Sequence, residues 1–249
     1  RAPARLLGDF APTIDVFVTS CGEDVDLIMD TLAAAASQDY PPHRYRVFAL
    51  DDAQDRALAR AVASFNSRQA KAGTAHVTYL SREKIPGKPH YFKAGNLQFG
   101  ISESRKTGLT SEFVAGLDVD AIAEPDWLRR TVPHLILDGN LALINPVQAP
   151  YNLPENDVLG QGLAASGGWL DDLRDNMGLS SCYGSGYVMR RSALDSIGGW
   201  PRVSVGEDIM CGFLLTGNGW GIAACSDVLQ HDLTPGSLDA LVKQRMRWV

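Results

Sequence analysis

"TIDVFVTS" (13–20), "DVDLIMDTLAAAASQ" (24–38) and "YRVFALDD" (45–52) decide the fold. The first and third are short runs rich in β-branched and apolar residues, bounded by polar clusters, which is the pattern of buried strands. The stretch between them has apolar residues at helical spacing. Two buried strands joined by a helix form a right-handed crossover and lie parallel. The alternation continues outward: "AQDRALARAVASFNSRQAK" (53–71) reads as a helix, "AHVTYLS" (75–81) as a strand, 92–104 as a helix and "SEFVAGLDVD" (111–120) as a fourth strand. The expected fold class is α/β, a Rossmann-like, mainly parallel sheet with helices on both faces. Such sheets bind ligands at the carboxyl ends of their strands. Three strands here end in polar residues, Thr19-Ser20, Asp51-Asp52 and Asp118-Val119-Asp120, so these side chains are expected to meet in one crevice.

The second half is more mixed. "LALINPV" (141–147) reads as a short strand, 148–156 as a Pro/Asn-rich loop and 157–176 as carrying a helix. "CYGSGYVMRRSALDSIGGW" (182–200) crosses a glycine turn into a strand and a short helix. Residues 205–220 read as a loop and a helix ending at Gly217, 221–228 as a strand and 236–248 as a closing helix.

The 249 residues are 45% hydrophobic and 21% charged, an ordinary globular balance. A net charge of −6 supplies no basic field, so no nucleic-acid partner is expected. The cysteines at 21, 182, 211 and 225 form no CxxC pair, so free thiols in a reducing compartment are expected. No run approaches the ~20 apolar residues of a membrane span. No apolar h-region follows Arg1-Ala2-Pro3-Ala4-Arg5. The abrupt start and stop read as a piece excised from a longer protein. The loop after the first strand, "TSCGED", has no GxGxxG, and no GxxxxGK[ST] occurs, so any nucleotide is held in another way.

Asp118 and Asp120 share one side of a strand end by alternation. Two carboxylates so placed suit a hard divalent ion, Mg²⁺ or Mn²⁺, holding a diphosphate; a solvated turn is the plainer reading. A haloacid-dehalogenase-type nucleophile pair is disfavoured, because that pair closes the first strand of its fold and here it closes the fourth. Gly206-Glu207-Asp208 opens a helix, where an acid either caps free N–H groups or, as Asp208, serves as a general base. Lys93 opens "KAGN" (93–96) at a helix start, where a cation is disfavoured by the dipole but suits a phosphate with the local N–H groups. Asp51-Asp52 either closes a turn or accepts hydrogen bonds from a base or ribose. Gln244, Arg247 and Trp248 lie at i, i+3 and i+4 and share one helix face, set for packing and solvation or for a sugar and a phosphate.

Taken together, Asp51-Asp52, Lys93-Ala-Gly-Asn96, Asp118-x-Asp120, Gly206-Glu-Asp208 and Gln244-x-x-Arg247-Trp248 resemble the family 2 glycosyltransferases. The order is most similar to their processive, membrane-embedded branch, the cellulose, curdlan, hyaluronan and chitin synthases, and covers about residues 12–249. "YGSGYVMRRSAL" (183–194) resembles the segment placed there beneath the acceptor. The resemblance implies a single GT-A domain, with a nucleotide-binding half at about 12–120 and an acceptor and catalytic half at about 121–249. It also implies a UDP-sugar donor, a glycan acceptor and work at the cytoplasmic face of a membrane, through segments absent from this chain. By residue, Thr19, Glu23, Asp51, Asp52, Lys93 and Asp118 would hold the nucleotide, and Asp118 and Asp120 the metal. Asp208 would be the catalytic base. Gln244, Arg247 and Trp248 would hold pyrophosphate and acceptor, with Cys182, Tyr183, Gly184 and Ser185 beside the acceptor. Three departures stand out: Ala53 where the family has the glycine of DDG, Gln98 where it has asparagine, and Gly206 where TED has threonine. QxxRW lies in those synthases on an interfacial helix before membrane segments, so the chain is expected to stop where the catalytic module stops. A non-processive transferase and a non-catalytic nucleotide-binding module are the competing classes.

Overall fold

The structure is a computed structural model that describes residues 2–69, 74–160, 168–202 and 206–246. Its strands form one eight-stranded sheet: β1 (Ile14–Ser20), β2 (Tyr45–Asp51), β3 (Val77–Ser81), β4 (Phe113–Asp118), β5 (Ile122–Ala123), β6 (Leu141–Pro150), β7 (Val188–Arg190) and β8 (Gly221–Asp232). The spatial order is β3-β2-β1-β4-β7-β6-β8-β5. The first four strands are mutually parallel, with Ser20 level with Asp51, and Thr19 with Asp118. β7 is antiparallel to both β4 and β6, β6 is parallel to β8, and β5 is antiparallel to β8. The sheet is therefore mixed, and its α/β class is the expected one.

Helices cover both faces because β1 and β2 bury side chains on both. On one face, Ile14, Val16 and Val18 pack with α1 (Val25–Ala36), α2 (Arg56–Gln69) and α4 (Trp127–Leu137). On the other, Phe17, Phe48 and Leu50 pack with α3 (Phe92–Lys106), α6 (Arg191–Ser196) and α7 (Glu207–Gly217). Two further helices are α5 (Gly168–Asn176) and α8 (Leu238–Met246). Asp24 caps α1, accepting from the N–H groups of Asp26 and Leu27 at 2.9 and 3.4 Å.

Several expectations need correction. β4 ends at Asp118, and residues 119–120 form a turn closed by Ala121 N–H to the Asp118 carbonyl at 3.1 Å. Strand alternation therefore does not position Asp120. The turn does, tethered to α1 where the Thr31 hydroxyl donates to the Val119 carbonyl at 2.6 Å. β6 runs on to Pro150 and β8 to Asp232, each longer than expected, because the two pair through register shifts along that length. Residues 157–160 are turn and coil, and the described helix begins at Gly168. α2 starts at Arg56 rather than 53, since Ala53-Gln54-Asp55 complete the turn after β2.

α4 escapes a reading by sequence pattern because it holds Pro133, which cannot donate to the Arg129 carbonyl one turn back. That carbonyl instead accepts the Leu6 N–H at 2.8 Å, so the N-terminal segment repairs the gap in the helix ladder.

Candidate active site

The carboxyl ends of β1, β2 and β4 open into a cleft of about 710 Å³. Thr19, Glu23, Asp52, Lys93, Asp118, Asp120 and Gln244 all line it, so the strand-end residues do converge. Arg247 and Trp248 lie outside the described residues.

Adjacent Asp51 and Asp52 are put to different use. Asp51 is buried and lines no part of the cleft. Its carboxylate accepts the N–H groups of Ala53 and Asp55 at 2.9 and 2.6 Å and the Tyr79 hydroxyl at 2.8 Å. Burial, with Asp51's hydrogen bond and charge added, pushes the Tyr79 phenol up to about 12. Its acceptor oxygens thus close the β2–α2 turn, the plainer of the two roles considered for the Asp51-Asp52 pair. Asp52 faces the cleft, where Nε and Nη2 of Arg82 donate to its two oxygens at 2.7 and 2.8 Å.

Lys93, one residue into α3, reaches across to the second half of the chain. Its Nζ donates to Asp118 and, at 2.9 Å, to the Gly184 carbonyl, with Glu207 at 4.0 Å. Burial would depress this amine, but the charges of Asp118 and Glu207 outweigh it and hold Lys93 above its ordinary value. Glu207 moves up as well, first through burial, with Lys93 pulling it back. Asp208 follows at the start of α7 and accepts its neighbour Ile209's N–H at 2.8 Å. Gly184 lies against it: φ is +82°, and a Cβ there would stand 2.6 Å from Asp208 Oδ2. Only glycine fits both the backbone angle and the approach.

The turn carrying Gly184 is held from three directions. The Asp118 N–H donates to Ser185 Oγ at 3.0 Å. Gln148 donates to the Ser185 carbonyl at 3.0 Å, and the Trp127 indole to the Gly186 carbonyl at 2.8 Å. Cys182 and Ser185 are buried, at 2% and 5% exposure. Cys182 packs among apolar residues of the second face, and burial pushes its thiol well above its ordinary value. The N–H of Tyr183, which is partly exposed, donates to Asn145 Oδ1 at 3.3 Å.

Asp120 is raised above the ordinary carboxyl value by burial and then by the charge of Asp118. Two acids in such repulsion are relieved by a cation. Among the described residues no group of three or more His, Cys, Asp or Glu is placed to hold a metal. Paired carboxylates are the donor type a hard divalent ion takes, and phosphate oxygens and water could supply the remaining ligands. Asp232, at the end of β8, is raised to about 7 by burial, with the charges of Asp120 and Asp118 adding to it and a 2.5 Å hydrogen bond from Gln230 opposing it. Sequence reading missed Asp232, Arg82, His90 and Phe92. Phe92 adjoins the KAGN motif, which could have pointed to it, whereas Asp232, Arg82 and His90 sit in no recognisable spacing and only the fold brings them to the cleft region.

The profile described as "Glycosyltransferase like family 2" matches residues 11–249. The chain belongs to that family. The family 2 chain is 28% identical over 247 residues to putative cellulose synthase 2 of Komagataeibacter xylinus, covering 95% of this chain and 15% of that protein. It is likewise 28% identical over 260 residues to the cellulose synthase 1 catalytic subunit, named UDP-forming, of the same organism, covering 100% and 32%. To a probable glucomannan 4-beta-mannosyltransferase of Oryza sativa subsp. japonica it is 30% identical over 224 residues, covering 88% and 38%. The chain thus spans less than two fifths of the length of these relatives. Among solved structures it is similar to a mannosyltransferase of Pyrobaculum calidifontis in complex with GDP-Man and Mn²⁺, with a TM-score of 0.72, 20% identity, and 99% and 63% of the two chains covered. A structure of S. aureus TarS with UDP-GlcNAc gives 0.62, 14% identity, and 92% and 60%. The fold is GT-A, and the family 2 chain is a polysaccharide-synthase-like glycosyltransferase domain.

Proposed function

We propose that this chain moves a hexose, glucose or a close relative, from a UDP-sugar onto the end of a growing β-linked polysaccharide, with inversion at the anomeric carbon. The observation that carries the proposal is the Lys93 bridge. One ammonium joins the acids of the donor cleft, through Asp118, to the Gly184 turn that abuts Asp208. A donor phosphate bound near Lys93 would then have the Asp208 carboxylate beyond the Gly184 turn, on the acceptor side. The UDP-forming name of one cellulose synthase relative supports the choice of nucleotide.

In this reading residues 12–120 supply the nucleotide site and 121–249 the acceptor and catalytic side of one domain. Thr19, Glu23 and Asp52 border the nucleoside, and Lys93 with the free N–H groups at the start of α3 meets the diphosphate. Mg²⁺ or Mn²⁺ on Asp118 and Asp120 would neutralise charge on the departing diphosphate. Asp208 takes the acceptor hydroxyl's proton as that oxygen attacks, a contribution of roughly 10²–10⁴-fold. Attack and departure on opposite faces of the sugar convert an α-linked donor into a β-linked product. Gln244, Arg247 and Trp248 complete the pyrophosphate and acceptor side. No described helix is long and apolar enough to cross a membrane. We place the reaction at the cytoplasmic face of a membrane, with the anchoring segments outside this chain.

The test is transfer of radiolabelled sugar by the full-length, membrane-inserted protein from a panel of UDP-glucose, UDP-N-acetylglucosamine and GDP-mannose. Polymer from UDP-glucose is expected. Polymer only from GDP-mannose would overturn the donor assignment, and label on a small acceptor alone would overturn the processive one.

A further inference from the structure

We infer that Phe92 is a stacking platform for the donor's nucleobase, an inference that rests on the glycosyl-transfer reading of the cleft. Phe92 lines the cleft and is 74% exposed. A lone exposed aromatic means little on an ordinary surface. Here the backbone is bent to present it. Tyr91 and Phe92 are consecutive non-glycine residues in the left-handed region, with φ of +59° and +41°. L-residues with a Cβ resist that region, and two in succession persist only where surrounding contacts impose them.

Those contacts are specific. Arg82 donates to the His90 carbonyl at 2.7 Å and to the Phe92 carbonyl at 2.9 Å, fixing both ends of the turn. Arg202 stacks over the Tyr91 ring at 5.5 Å. Gly95 makes room beneath, since a Cβ there would stand 2.3 Å from the His90 carbonyl oxygen and 2.5 Å from Arg82 Nη1. The glycine of KAGN thus lets the strained turn seat itself on α3.

The same guanidinium names the part of the donor that Phe92 meets. Arg82 also pairs with both oxygens of Asp52, so those two charges neutralise each other next to Phe92, whose carbonyl the same guanidinium holds. On the donor reading, the diphosphate and its metal fall to the Lys93–Asp118 pair and Asp120, which line the same cleft. A nucleotide sugar has one planar π-system, its base, and an exposed aromatic ring lining the cleft suits it.

The experiment is titration calorimetry in Mn²⁺ with UDP, UDP-glucose and inorganic pyrophosphate, on the wild-type protein and on Phe92→Ala, Phe92→Leu and Phe92→Trp, all checked by thermal melting. Phe92→Ala and Phe92→Leu are expected to weaken UDP and UDP-glucose alike by roughly 10-fold, to leave pyrophosphate within about twofold, and to melt as wild type does, while Phe92→Trp retains affinity. Unchanged UDP affinity in Phe92→Ala overturns the inference and leaves the donor site standing. A loss confined to UDP-glucose moves the ring to the sugar and overturns it too. A wild-type protein that binds no UDP removes the donor reading itself, and this inference with it.

Discussion

Lys93 and Gly184, 91 residues apart, are joined by a 2.9 Å hydrogen bond from the ammonium to the backbone carbonyl, while a Cβ on that same glycine would stand 2.6 Å from Asp208 Oδ2. Donor cleft and candidate base are thus registered against each other through one residue that can carry no side chain. Gly184→Ala would force a Cβ toward Asp208 Oδ2 in a backbone conformation that alanine resists. We expect a loss of stability of about 1–2 kcal/mol, a few degrees in melting temperature, and a fall in turnover of more than about 10-fold. Turnover equal to wild type in a folded variant would show that the Gly184–Asp208 contact has no part in the reaction.

Asp208→Asn separates binding from chemistry. The carboxylate is needed only when the acceptor loses its proton, so UDP affinity should stay within about twofold of wild type while transfer by the full-length protein falls at least 100-fold. Calorimetry and a radiolabel assay measure the two. A variant keeping more than about a tenth of wild-type turnover is too active for Asp208 to be the base.

UDP binding should depend on a divalent ion, because Asp118 and Asp120 repel both each other and a diphosphate. Affinity is expected to rise at least about 10-fold from EDTA to Mn²⁺, and Asp120→Asn should abolish most of that gain. Equal affinity in EDTA and Mn²⁺ would take Asp120 out of metal binding.

Asp232 makes a pH signature. Its folded-state pKa, about 7, lies above that of an unfolded aspartate. The folded protein therefore holds a proton that the unfolded chain gives up between about pH 4 and 7. The stability this group contributes is complete below about pH 4, is lost as pH rises toward 7, and does not return above. In EDTA, Asp232→Asn should be more stable than wild type at pH 8 by on the order of 2–4 kcal/mol, read from denaturant unfolding, and show no gain at pH 4. A difference that is the same at both pH values would show that Asp232 is not raised.

The nucleotide-binding half was legible because its strands are continuous β-branched runs with polar ends, as in Ile14–Ser20 and Tyr45–Asp51. The register that sets Thr19 level with Asp118 follows from parallel pairing, so convergence on one cleft could be argued before any coordinates. The family was legible mainly through the spacing of motifs across the chain. What failed was the division of labour between neighbours. Nothing in "DD" tells which carboxylate closes a turn and which faces the cleft, since that depends on Tyr79 and Arg82, some 30 residues on. Likewise "CYGS" gives no sign that Cys182 and Ser185 point into the protein, because strand and turn geometry decide it. α4 stayed hidden because Pro133 is tolerated only with help from Leu6, far away in sequence.

β7 is three residues long, and it alone covers the edge of β4 that β1 leaves open. During synthesis β1 to β4 can assemble as soon as residue 118 emerges, but the strand that completes β4 arrives roughly 70 residues later, about 4–14 s at ribosomal rates. Throughout that interval a buried, apolar central strand with Asp118 at its tip presents unpaired N–H and C=O groups to the crowded surroundings. The nascent chain is then most exposed to intermolecular strand pairing while the future donor cleft is half built. A chaperone or an early-docking helix would have to shield that edge until Val188–Arg190 closes it.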